Sequence, residues 1–166
     1  MKYSRSKNFS AYYLVVMVGI SYISVILLNF APALLPLLPL YTFIASLLYL
    51  AIWGFALFVI LTNRFKRLAK IAVIYWSFSL VGSINLIVQS YLQSRNYGII
   101  ILSYPFIIPI YGCAYFDLNI LNLSGDSFFL GTIFATVFFG VSIVALFRTR
   151  NTPPPPTIPD ENNGFR

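Results

Sequence analysis

The stretch YGIIILSYPFIIPIYGCAYF, residues 97–116, carries no charge, holds prolines at 105 and 109, and is just long enough to cross a lipid bilayer. A crossing helix needs roughly 20 apolar residues. Whether this stretch crosses decides the number of spans and the side on which the C-terminus lies.

The chain around it is built for lipid. Of 166 residues, 59% are hydrophobic and only 9% charged, whereas about one quarter of a soluble domain is charged. No Asp, Glu, Lys or Arg occurs in 8–63, 71–94, 96–116 or 127–147. Runs of this kind meet lipid or other apolar helices. An all-α integral membrane protein is expected, a four-helix transmembrane bundle with spans over about 11–30, 41–61, 71–92 and 127–147. Residues 1–150 then form the polytopic membrane domain, and the polar, Pro-rich 151–166 a disordered tail. The apolar run after the basic MKYSRSK is longer than a signal peptide's core and reads as an uncleaved first span. Prolines 32, 36 and 39 mark the turn into the second.

The positive-inside bias counts Lys and Arg in short flanks of spans. If 97–116 stays on one side, Arg95 alone among the eleven Lys and Arg lies opposite the rest. If it crosses, Arg148, Arg150 and Arg166 join Arg95 outside, and the inner loop 117–126 holds two Asp and no base. Four spans in the plasma (inner) membrane, with both termini cytoplasmic, is the expected topology. Pro109 argues likewise, because a mid-helix proline deletes a hydrogen bond at a cost of about 3 kcal/mol. The outer segment 93–126 is therefore read as an apolar, Pro-containing interfacial or re-entrant piece. Tyr97, Tyr104, Tyr111 and Tyr115 would place their hydroxyls at the polar boundary. It serves either as a cap over the bundle or as a lid or docking surface.

Missing residue types narrow the chemistry. The chain has no histidine, and its four acidic residues, Asp117, Asp126, Asp160 and Glu161, all fall outside the expected spans. Bis-imidazole haem, a Ser-His dyad and a paired-aspartate intramembrane hydrolase have no residues to work with. Cys113 is the single cysteine, which excludes paired-cysteine chemistry and suits a small packing residue. No cofactor, no metal and no enzymatic activity are expected.

Three groups of residues remain as candidates. Ser79, Ser83, Asn85 and Gln89 form a polar stripe on the third span, either interhelical glue or the lining of a small pathway. Gly131, Thr132, Ala135, Thr136 and Gly140 give the last span a small-residue face for close helix packing, within the chain or against a second copy. Arg64, Lys66, Arg67 and Lys70 form a basic cytoplasmic cluster suited to anionic lipid headgroups. Asn122-Leu123-Ser124 matches a glycosylation acceptor, and the prolines 153–156 form a short polyproline II rod, spacer or docking ligand. The net charge of +7 is held at a membrane face, so nucleic acid is not an expected partner. The lipid bilayer is, together with a membrane-protein partner or another copy.

The expected function is a small non-enzymatic multi-pass membrane protein acting through protein or lipid contacts, as an accessory, assembly or protective factor. The alternative is a subunit of a homo-oligomeric channel or small transporter using the polar stripe.

Overall fold

The structure, a computed structural model, describes residues 2–34, 39–92, 104–119 and 128–150, and these are helical apart from short turns. The order is α1 (Lys2–Leu34), α2 (Leu40–Asn63), α3 (Lys66–Leu92), a helical turn over 104–107 leading into the 3-10 turn Ile108–Ile110, α4 (Cys113–Asn119) and α5 (Phe129–Arg150). Among the described residues, four helices are long and apolar enough to cross a membrane: Ala11–Ala33, Leu40–Asn63, Lys66–Gln89 and Phe129–Thr149. Their outward faces are apolar too, with Leu27, Phe58, Val81 and Val144 all exposed. A soluble bundle would carry polar groups there.

Local chemistry sets the helix ends, and several differ from the sequence expectation. Helix α1 continues past Pro32 to Leu34, so that proline sits in the last turn and interrupts little. Pro39, with φ −73° and ψ 150°, opens α2, and the Thr42 hydroxyl donates to its carbonyl at 2.7 Å. At the other end Arg64 adopts the left-handed conformation, φ 56° and ψ 47°, and returns its N–H to Ile60 O. Only Arg64 and Phe65 separate α2 from α3. Lys66, Arg67 and Lys70 therefore begin α3 rather than forming a loop ahead of it. Positive charge is disfavoured at a helix N-terminus, so their placement reflects the end of the apolar layer, not helix electrostatics.

Neighbouring helices alternate in direction. Asn29 meets Ser46 and Tyr22 meets Tyr49, so α1 and α2 are antiparallel. The short turn reverses the chain into α3, which packs along α5. The buried residues of α3 recur at Ala69, Ala72, Trp76, Ser79 and Ser83, and those of α5 include Gly131, Ala135, Ser142 and Ala145. This three-and-four spacing gives each helix one seam, and Trp76 stacks on Phe138 across it at 4.7 Å between centroids. The start of α1, the α2–α3 turn and the end of α5 consequently share one end of the bundle, the end that carries the basic cluster.

Residues 104–119 enter from the opposite end. They are broken at 111–112 and contain no continuous membrane-length helix. Ile107, Ile108 and Ile110 are buried, the 3-10 turn packing on both α1 and α2, and Cys113 and Ala114, also buried, lie on α4, which packs on α2 and α5. Helix α4 then leads toward α5. Asp117, fully buried, accepts the Leu130 N–H through both carboxylate oxygens at 3.2 and 3.1 Å. It thereby pairs a donor that the first turn of α5 leaves free.

Candidate functional site: a docked segment above an apolar groove

An irregular backbone inside an apolar bundle needs partners for its N–H and C=O groups. Four side chains on three helices supply them. The Tyr22 hydroxyl of α1 donates to Pro105 O at 2.8 Å, and the Ser79 hydroxyl of α3 donates to Phe106 O at 3.1 Å. The Asn29 amide of α1 donates both to Ile108 O at 2.9 Å and to the Ser46 hydroxyl at 3.0 Å. That Ser46 oxygen also accepts the Gly112 N–H at 3.1 Å. Tyr22 and Ser79 lie near the middles of the apolar stretches Ala11–Ala33 and Lys66–Gln89, so the segment reaches to mid-depth before turning back.

Gly112 allows the return. A Cβ there would lie 1.9 Å from Thr42 O and 2.7 Å from Phe43 N, backbone atoms of α2 that cannot step aside. The ring of Phe43 stacks on Tyr115 and Phe116 beside it, both at 5.9 Å.

On the basic side of the segment the space between α1 and α3 is not filled. A half-open groove of about 420 Å³ runs there, floored by α2 and lined almost wholly by carbon. Leu14, Val18 and Gly19 form one wall, Leu68, Ile71 and Tyr75 the other, with Trp53, Ala56 and Ile60 beneath. Phe106, carried by the docked segment, closes it at mid-depth together with Tyr22, Tyr49 and Tyr75. The Tyr49 hydroxyl donates to that of Tyr75 at 2.6 Å, and Trp53 stacks on Tyr75 at 5.1 Å. Tyr22 meets Tyr75 edge-on at 6.1 Å. These hydroxyls are engaged with one another or with backbone, leaving an aromatic wall.

The candidates from the sequence fall in different places. Ser79 belongs to the docking set, while Ser83, also buried, returns its hydroxyl to Ser79 O at 2.8 Å. Asn85 and Gln89 bond each other at 3.3 Å one turn further along α3. Of the small residues on α5, Gly131 and Ala135 are buried and Thr132 half-buried, whereas Thr136 and Gly140 face outward. Thr136 bonds back to Thr132 O at 2.8 Å. Arg64, Lys66, Arg67 and Lys70 are all exposed at the basic end. Tyr104, Tyr111 and Tyr115 are half-buried, while Tyr97, the 122–124 acceptor pattern and the prolines 153–156 lie outside the described residues.

Cys113 is fully buried, and burial with Asp117 nearby pushes its thiol up to about 12. It stays protonated and unreactive at neutral pH. Among the described residues, no three His, Cys, Asp or Glu side chains group to hold a metal. Sequence reasoning passed over Tyr22, Asn29, Ser46, Gly112 and the tyrosine wall. Asn29 did carry a signal, an amide in a long run without charge, since polar groups at that depth require partners.

No protein-family model, no curated protein and no solved structure matches this chain.

Proposed function

We propose that this chain is a four-span integral membrane protein, with both ends cytoplasmic and 104–119 re-entrant from the outer side. It acts without catalysis, through contacts with lipid and with neighbouring membrane proteins, as an accessory, assembly or protective factor. The observation that carries this reading is the half-open apolar groove between α1, α2 and α3, stopped at mid-depth by Phe106. In a bilayer such a groove opens sideways into one leaflet and takes an apolar chain. The hydroxyls around it bond one another or backbone, which favours a holding role over a chemical one.

The channel reading rests on Asn85 and Gln89, which bond each other, and on Ser79 and Ser83, whose hydroxyls are committed to backbone. It draws less support from the geometry than binding does.

Retention of ligand tests the proposal. Protein extracted in mild detergent should show lipid adduct masses by native mass spectrometry. Gly19→Leu should remove them while leaving the circular dichroism unchanged, because a Cβ at Gly19 meets no atom within 4 Å and extends into open space. Bare protein from the wild type, or equal retention by both, would contradict the groove's role.

A further inference from the structure

The groove is one-sided. Its outer half is occupied by the chain's own residues 104–112, and its inner half is open toward the basic end. From Leu14 to Tyr22 along α1 the helical rise gives about 12 Å. That approaches half of a hydrocarbon core about 30 Å thick, the depth of one leaflet. Along α3 the lining residues are Leu68, Ile71 and Tyr75. Arg67 lies four residues before Ile71 on α3, one turn toward the basic end, and Arg64 sits in the turn that joins α2 to α3 at that same end, four residues after Ile60 on the groove floor. Both arginines are exposed, as are Lys66 and Lys70. The first 116 residues contain no acidic side chain, so no carboxylate from the three groove-forming helices offsets this charge.

Resting on the reading of the groove as a lipid-holding site, we propose that its occupant is an anionic phospholipid of the cytoplasmic leaflet. One acyl chain lies between α1 and α3 with its tip against Phe106 and Tyr75, and the phosphate is held by Arg64 and Arg67. A guanidinium matches phosphate with paired, charge-assisted hydrogen bonds, and each cation near an anionic surface contributes measurably to binding. The re-entrant segment then sets the leaflet: it blocks a chain from the outer side and stops one from the inner side at mid-depth.

Trp53 lies on the groove floor and Trp76 in the α3–α5 seam, and these are the two tryptophans of the chain. In a Trp76→Phe background, Trp53 fluorescence reports on the groove alone. The protein is reconstituted in phosphatidylcholine bilayers containing either brominated-chain phosphatidylglycerol or brominated-chain phosphatidylcholine. Quenching by the anionic lipid should saturate at a mole fraction about tenfold lower than quenching by the zwitterionic one. Arg64→Gln with Arg67→Gln should erase that difference without abolishing quenching, and Gly19→Leu should abolish quenching by both lipids. Equal quenching by the two lipids, still removed by Gly19→Leu, would overturn the headgroup assignment and leave the groove reading standing. Absence of quenching by either lipid would overturn both, and a self-association signal under those conditions would assign the groove to a second copy.

Discussion

The amide of Asn29 on α1 and the hydroxyl of Ser46 on α2 lie 3.0 Å apart, and together they pair two backbone groups of the segment between α3 and α5, Ile108 O and Gly112 N–H. Two helices and an irregular segment thus share one buried polar node in an apolar bundle. All of these groups are buried, so losing one partner strands the others.

Ser46→Ala removes the acceptor of the Gly112 N–H. An unpaired buried donor costs about 1–3 kcal/mol, more than the worth of an ordinary interhelical bond in a membrane. Stability in detergent, followed by thermal or denaturant unfolding, should fall by that amount. Ser46→Ala combined with Asn29→Leu should cost less than the sum of the two single changes, because they act on one node.

Gly112 and Gly140 should respond in opposite ways to the same added methyl. Gly112→Ala forces a Cβ into the Thr42 carbonyl and should cost at least about 1–3 kcal/mol through overpacking. At Gly140 a Cβ meets nothing within 4 Å, and Ala is the better helix former by about 1 kcal/mol. Parallel melting curves of the two variants check the pair, with Gly112→Ala below the wild type and Gly140→Ala level with it or above.

Asp117 holds the start of α5, and burial raises its carboxyl above the ordinary range, an effect partly offset by the Leu130 and Phe129 backbone N–H groups. A carboxyl raised on folding binds its proton more tightly in the folded state. Its favourable contribution is therefore present below the unfolded value, about 3.9, and is lost as pH rises through the folded one. Asp117→Asn keeps an acceptor for Leu130 and removes the charge, so its stability relative to wild type should be greatest at pH 7 and shrink as pH falls toward 4. Asp117→Ala, which removes the acceptor, should cost about 0.5–2 kcal/mol.

If Asn85 and Gln89 lined a conduction path, replacing them would change flux. Because they bond each other within α3, Asn85→Leu with Gln89→Leu should leave the ion permeability of reconstituted vesicles unchanged. A reproducible change in flux would favour the channel reading.

The four long helices were legible because charge is absent over whole runs and clustered at their ends, a pattern that depends only on composition along the chain. The start of α3 was less visible, since Lys66, Arg67 and Lys70 mark where the apolar run ends and a helix is free to continue beyond it. The lack of a continuous helix over 104–119 was signalled by the prolines at 105 and 109, although the break itself falls at 111–112. The depth of the segment was not, because it is fixed by Tyr22, Asn29, Ser46 and Ser79, up to 83 residues distant from their partners in sequence. The groove was hidden for a related reason, since an empty space between apolar helices leaves no trace in the residue types that surround it. On α5 the small residues suggested one face, but only Gly131 and Ala135 lie on the buried seam, and the period of that seam is set by packing against α3.

The proposed four-span arrangement requires the segment between α3 and α5 to enter from outside and return without crossing. In a Cys113→Ser background, single cysteines at Ser94 and at Ser124 can be challenged in intact cells with a membrane-impermeant thiol reagent. Both should react from outside, while a tag after Arg166 and one inserted within 63–70 remain inaccessible until the membrane is opened. Labelling at 94 but not at 124, with the C-terminal tag exposed, would mean that the segment crosses and would contradict the four-span arrangement.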